Sequence, residues 1–368
     1  MRTGDPKSLK PLNSKNPKSV SKHLQYHRWL ILTLLFSFLA ASAAWAGYIF
    51  LEQSFDQPAA PSRTETVLFR VKPGMGLRKL SWKLAQAGLI HRPRIFQLQV
   101  RLRGGANRIF FGTYRLSPSM RPRQIYRTIT EARIAERSIT IPEGFNLKQI
   151  ATLIEKTKFG KQREVLRLAQ DRAFLSSLQI QEGSLEGYLF PDTYRFPVDT
   201  PSRKILAKLV STLRKKFTDE LGKRASEVNL SLHETLTLAS VIEKETSVAS
   251  ERPLIAAVFV NRLRRKMRLQ SDPTVIYALP NFDGNIRRKD LAYDSPYNTY
   301  RYKGLPPGPI ASPGLASIRA ALYPAQVSYL YFVANQNGSH QFSRTYREHQ
   351  KAVLRYQKTN RKKHKVDQ

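Results

Sequence analysis

The chain has 368 residues, 41% hydrophobic and 10% aromatic, enough for two modest domains with packed cores. It contains no cysteine, which excludes a disulfide framework, a thiolate nucleophile and a Cys-ligated metal. Lys and Arg number 62 against 27 Asp and Glu, a formal charge of +35 that calls for anionic partners or surroundings without choosing among nucleic acid, lipid headgroups and acidic polymers.

Residues 1–28 are polar, basic and rich in Ser, Pro and Lys, and are expected to form a cytoplasmic basic tail without fixed structure. The run from Trp29 to Leu51, WLILTLLFSFLAASAAWAGYIFL, carries no charged side chain and meets the roughly 20 apolar residues a membrane-crossing helix needs. Arg2, Lys7, Lys10, Lys15, Lys18, Lys22 and Arg28 precede it against the lone acid Asp5, which keeps the N-terminus cytoplasmic and exports the chain beyond Leu51. Trp29, Trp45 and Tyr48 sit near the ends, where amphipathic rings favour the interface. A cleaved signal peptide competes with this reading, through the small residues at Ala41–Ala46, but the apolar run exceeds the usual signal core of roughly 7–15 residues. Either way the bulk of the chain is exported, and nucleic acid drops out as a partner.

Residues 52–63 (EQSFDQPAAPSR) have the composition of a linker. Extended runs then hand over to amphipathic helices through Pro/Gly turns: VLFRV before KPGMG, GTYRL before SPSM, RSITI before PEGF. The spacing predicts an α+β protein with a small β/α domain over 64–134 and a larger mixed α+β domain over 135–350. In the latter a basic amphipathic helix is predicted over 202–222, with further helices at 231–246, 250–267 and near 314–322. A Pro/Gly/Tyr-rich loop region covers 270–313. SYLYFVA and HQFS, joined through Asn-Gly, read as a hairpin. A basic helix from about residue 345 leads into a basic C-terminal tail, 351–368.

Ser231 followed by Glu234 matches a capping box, so a helix is predicted to start there. At about 100° per residue, Leu232, Leu236, Ala239 and Ile242 share one face, with Glu243 near its centre and Glu245 at its far margin. Lys244 and Thr237 point the other way. A carboxylate aimed into an apolar face loses hydration, which favours the protonated form a general acid requires. A Glu at a helix end can equally bend out to solvent or pair with an Arg, and periodicity does not decide between them.

The segment ASVIEKETSVASERPLIAAVFVNRLRRKMRLQSDPTVIYAL resembles the core of the endolytic murein transglycosylases, the YceG-like family. EGYLFPDTY at 186–194, YNTY at 297–300, GLPPGPIASPG at 304–314, SYLYFVA, KPGMG and FGTYRLSP match in the same order, over about residues 64–350. The resemblance implies a bacterial inner-membrane protein with one anchor, a LysM-like small domain and a periplasmic catalytic domain. It implies Glu243 as catalytic acid and base, cutting the β-1,4 bond between N-acetylmuramic acid and N-acetylglucosamine in nascent peptidoglycan strands. The muramoyl 6-hydroxyl is the attacking group and leaves a 1,6-anhydro end, which terminates strand elongation. Peptidoglycan is the implied partner, with peptidoglycan synthases as candidate protein partners. The small domain binds glycan or serves as a spacer.

Around Glu243, Glu186, Tyr188 and Asp192 are expected to hold sugar hydroxyls, or Glu186 to orient Glu243, unless they belong to a structured loop. Gln270 and Asp272 are candidates for substrate binding, and Asp272 can instead cap the helix after it. Tyr297, Asn298, Thr299 and Tyr300 suit a sugar cleft, because Tyr pairs a flat apolar face with a polar tip, or else form a structural corner. No metal or cofactor is expected: the seven histidines are scattered without HExxH spacing, and GxSxG and P-loop motifs are absent. A non-catalytic glycan-binding scaffold for cell-wall synthases and a lysozyme-type hydrolase are the alternatives.

Overall fold

The computed structural model describes residues 17–335 and 338–363, with side chains from 26 to 335 and 338 to 356. The chain divides after Ala135 into two compact units. The first opens with α1 (Pro17–Asp56), of which Tyr26–Asp56 is long and apolar enough to cross a membrane. Trp29, Leu34, Phe36, Phe38 and Trp45 are all exposed on it, as a lipid-facing helix requires.

This helix outruns its expected ends. Residues 17–28 are helical, and residues 1–16 lie outside the described residues. At the other end, residues 52–56 of the expected linker belong to α1 and are held on the first unit. Glu52 pairs with Arg103 at 2.6 Å and with Arg123, which also holds Asp56 at 2.8 Å. Phe55 is buried against Phe96 and Tyr126, beneath the guanidinium groups of Arg103 and Arg123. The polar composition reads as a linker because its partners lie far along the chain.

The rest of the unit is β1 (Val67–Val71), α2 (Leu77–Gln86), α3 (Pro93–Leu102), β2 (Gly112–Leu116) and α4 (Pro122–Thr130). β1 and β2 pair antiparallel, Val67 opposite Leu116. Two strands alone are marginal; Leu80, Leu84, Leu89, Tyr114 and Ile125 supply the core that supports them.

The second unit runs β3 (Glu136–Thr140), α5 (Leu147–Lys156), α6 (Gln162–Leu168), α7 (Arg172–Ser177), β4 (Thr193–Pro197), α8 (Ser202–Lys216), α9 (Asp219–Glu227) and α10 (Leu232–Glu245). It continues with α11 (Arg252–Arg264), α12 (Asp272–Ala278), α13 (Leu315–Leu322), β5 (Tyr331–Ala334), β6 (His340–Ser343) and α14 (Tyr346–Lys363). β3 pairs antiparallel with β4 across an insertion of three helices, and β5 with β6 as the expected hairpin.

The helix expected over 202–222 is two helices. Lys215 and Lys216 close α8, and Asp219 and Glu220 open α9 behind the N-cap Thr218, so each charge meets the helix-end dipole it favours. The expected C-terminal tail is helical to Lys363, with Ala352 buried; residues 364–368 lie outside the described residues.

α10 starts with the capping box: the Glu234 N–H donates to Ser231 Oγ at 3.1 Å, and the Ser231 N–H to Glu234 Oε2 at 2.8 Å. From Thr235 to Ile242 every residue is buried, including Thr237, which periodicity places on the outer face. The helix is therefore enclosed on all sides, between α11 and α13, rather than buried along one stripe.

On α8 the periodicity is clean, with Ile205, Leu206, Leu209, Val210 and Leu213 buried and Lys208 exposed. Leu209→Ala is expected to lower unfolding free energy by about 2–5 kcal/mol and Lys208→Ala to stay within about 0.5 kcal/mol, read from urea denaturation.

Candidate active site

Glu243 lies in the last turn of α10 with a side chain 7% exposed. Two loops close over it. The first, residues 141–146, joins β3 to α5; the second, residues 308–314, leads into α13. They are zipped by backbone bonds, Gly144 N–H to Ser312 O at 2.9 Å and Ser312 N–H to Phe145 O at 2.8 Å. Gly144 has φ +74°, a conformation costly for other residues, and its Cα packs against the stems of Glu243 and Lys244. Lys244 Nζ donates to Gly144 O at 3.4 Å.

Gly314, the N-cap of α13, donates its N–H to Glu243 Oε2 at 3.0 Å. Arg252, the first residue of α11, brings Nη2 to 3.7 Å from Oε1. Its buried Nε has no hydrogen-bond partner among the described residues. A helix-start N–H and a guanidinium together make a site suited to negative charge.

A second carboxyl group stands beside this one. Glu143 is mostly open to solvent, but its carboxylate lies across the Cα of Gly314, where an added methyl would overlap it. Desolvation of that contact and the neighbouring charge of Glu243 push the Glu143 carboxyl up, with Arg252 opposing.

Next to Gly144 and Lys244 opens a groove of about 920 Å³. Asn146, Lys148 and Gln149 from the start of α5 line it, with Glu186, Tyr277, Phe282 and Ile310. Glu186 is buried and pushed up to about 7 by desolvation; both its oxygens accept the Leu147 N–H, at 3.0 and 3.1 Å, and Tyr277 donates its hydroxyl at 3.2 Å. Glu245 is also driven up to about 7 by burial, and accepts a hydrogen bond from Ser271 Oγ.

The other expected site residues have structural employment. The Tyr188 hydroxyl is buried and bonded to His233 Nδ1 at 3.0 Å. Asp192 is exposed, caps Thr193 N–H at 2.7 Å and is not part of the groove wall. Gln270, at φ +52°, accepts from Arg262. Asp272 opens α12, with Ser271 as the N-cap, and accepts the Tyr300 hydroxyl at 2.6 Å. Asn298 is fully buried, donating to the carbonyls of Leu291 and Tyr293 and accepting from the Tyr300 N–H, while Thr299 bonds Ser271 and Thr274. These two form a corner and leave no polar atom for a sugar. Tyr297 is not part of the groove wall and packs behind it on Tyr277, ring centroids 4.9 Å apart.

Sequence reasoning missed Glu143, Arg252 and Gly314. PEGF reads as a turn, which hides Glu143, though the charge directly against the turn glycine Gly144 was a signal; no local pattern singles out Arg252 or Gly314. Among the described residues no group of three or more His, Asp or Glu side chains is arranged to hold a metal ion.

Fold and site together define an α+β protein with a shielded carboxyl group, Glu243, beside a groove that its neighbours Gly144 and Lys244 line. The chain belongs to the YceG-like family, whose sequence profile matches residues 69–355. It is 34% identical over 320 residues to an endolytic murein transglycosylase of Bacillus subtilis (strain 168), covering 83% of this chain and 88% of that protein. An endolytic murein transglycosylase of Streptococcus pneumoniae serotype 2 is 30% identical over 339 residues, 83% of this chain and 61% of the relative's length. A crystal structure of a yceG-like protein from Listeria monocytogenes is similar with a TM-score of 0.55 and 36% identity, covering 78% of this chain and 99% of the other.

The packing has two measurable consequences. Gly187 has φ +80°, and an added methyl would overlap the ring of Pro309; Gly187→Ala should therefore cost about 2 kcal/mol or more in chemical denaturation. Glu186 holds its proton more tightly folded than unfolded, so its contribution is present below about pH 4.5 and lost as pH rises through about 7. Over that window wild type should lose up to about 3 kcal/mol relative to Glu186→Gln, measured by melts at matched pH; parallel curves would refute the assignment.

Proposed function

We propose that this protein is an endolytic lytic transglycosylase of peptidoglycan. It would cleave the β-1,4 bond between N-acetylmuramic acid and N-acetylglucosamine in nascent strands and so end their elongation. The observation that carries this reading is the Glu243 carboxyl group, nearly covered, held by the Gly314 N–H and faced by Arg252, beside a groove of about 920 Å³ lined by its neighbours Gly144 and Lys244. Relatives bearing the name endolytic murein transglycosylase support it.

In the chemistry this reading implies, protonated Glu243 gives its proton to the glycosidic oxygen as the C1–O bond breaks. The muramoyl 6-hydroxyl then closes on C1 and forms the anhydro ring. Glycosidases that use water need a second carboxyl group for the attacking oxygen. Here the nucleophile belongs to the substrate, so the emptied Glu243 carboxylate can take the 6-hydroxyl proton and be ready again. Glu186 supports the groove by joining the start of α5 to α12, which makes it a positioning residue for the walls.

The apolar helix supports a single anchor, and the basic residues before it support a cytoplasmic N-terminus with both folded units in the periplasm of a bacterial inner membrane. The β1-α2-α3-β2 order of the first unit supports a LysM-like module. Peptidoglycan synthases acting on the same nascent strands are the protein partners this placement favours.

Purified peptidoglycan digested with wild type should release products ending in 1,6-anhydromuramic acid, lighter by one water than hydrolysis products. Glu243→Gln should lower the rate about 10²–10⁴-fold with an unchanged circular dichroism spectrum. Products carrying the extra water would replace this reaction with a hydrolase, and a Glu243→Gln protein as active as wild type would remove Glu243 from the chemistry.

A further inference from the structure

Glu143 has no use in a cleavage run by Glu243 alone, yet its position is hard to explain otherwise. It makes no hydrogen bond or ion pair among the described residues, and it stands beside a like charge. Among the described residues the charge of Arg252 is the attraction that opposes this repulsion, so the position adds little to stability. The donors of the site, the Gly314 N–H and Arg252, serve Glu243. Glu143 and Glu243 thus meet on one residue: Gly314 bonds one carboxylate through its N–H and carries the other across its Cα. Glu143 is also the accessible member, next in sequence to Gly144, which lines the groove.

We propose that Glu143 is the second proton-handling residue of the cleavage, taking the proton of the attacking hydroxyl while Glu243 supplies the proton to the leaving oxygen. This rests on the transglycosylase reading and changes one step of it, the 6-hydroxyl proton passing first to Glu143 and not straight back to Glu243. The bond from C1 to the leaving oxygen breaks and that oxygen receives the Glu243 proton. A bond from C1 to the attacking oxygen forms and its proton passes to Glu143. Return of that proton to Glu243, directly or through solvent, restores the pair, so one proton leaves and one arrives per turnover. In the resting site burial and the charge of Glu243 raise Glu143, and Arg252 acts against them; when Glu243 carries the proton it will donate, its charge no longer opposes ionisation of Glu143 and Arg252 favours the carboxylate a base requires. The charged groups around Glu143 are Glu243 and Lys244 from α10 and Arg252 from α11; the 308–314 loop contributes backbone only.

The test uses the full chain in detergent with purified peptidoglycan strands, comparing wild type, Glu143→Gln, Glu143→Ala, Gly314→Ala and Glu243→Gln. Glu143→Gln should lose about 100-fold or more in kcat with KM within about threefold, and its pH–rate profile should lose one limb. Added formate, a free carboxylate, should restore part of the Glu143→Ala rate. Gly314→Ala keeps Glu143 but moves it: φ −71° and ψ 164° suit alanine, and the new methyl displaces the flexible carboxylate, so activity should fall with an unchanged circular dichroism spectrum. Glu143→Gln with kcat within about threefold of wild type and the same pH profile overturns the proposal. So does an equal loss at every pH with no formate rescue, which marks a structural role. If wild type cleaves, Glu243→Gln does not and Glu143→Gln does, only the role of Glu143 falls. If wild type leaves the glycan intact, the transglycosylase reading falls, and this proposal with it.

Discussion

A carboxyl group can be kept from bulk water only where other donors replace its hydration, and the larger unit is organised around meeting that condition for Glu243. The replacement donors are a backbone N–H at the start of α13 and a guanidinium at the start of α11. Both helices must therefore begin within reach of the end of α10, which is why α10 runs enclosed between them. The two loops that cover the site are locked to each other by backbone bonds, with Gly144 at a φ of +74° that other residues adopt only with strain and Gly314 leaving room for the Glu143 carboxylate.

Other buried acids near the site work differently. Glu186 and Glu245 are raised toward neutrality by desolvation and act as hydrogen-bonded joints, the first between α5 and α12, the second between the end of α10 and the start of α12. Their side chains are enclosed as Glu243's is, so enclosure alone does not mark a reactive group. What separates Glu243 is the combination of an adjoining groove, two donors of positive character and a neighbouring carboxylate. The Lys148 and Lys244 side chains along the groove give it a cationic lining consistent with the strongly basic chain.

Features set by neighbours in sequence are legible from the residues alone. The apolar run of α1, the Ser231–Glu234 capping box and the β5–β6 hairpin each depend on residues within one or two turns of each other. The split of the expected 202–222 helix has a local cause, its charges at the helix ends, and the other errors come from partners distant along the chain. Residues 52–56 read as linker because Arg103 and Arg123 lie some 50 to 70 positions further on. Thr237 reads as exposed when a single stripe is assumed for a helix that is covered all round. Asn298 and Thr299 read as cleft residues because their carbonyl and hydroxyl partners are set by loop packing, which no local pattern encodes. The motifs carrying the family resemblance did identify the family, and with it Glu243 as the residue to examine.

The sequence by itself determined that one apolar helix precedes two α+β units, where α10 begins, and that a carboxyl group sits where that helix should be apolar. Hydropathy, capping and periodicity are short-range, so they survive without a fold. Only the tertiary structure decided which donors meet that carboxyl group, that Glu143 stands beside it across Gly314, and which of the neighbouring polar residues face the groove. The Gly314–Glu243 bond spans 71 positions and the two bonded loops lie more than 150 apart, and these energies exist only once packing has removed the water between them.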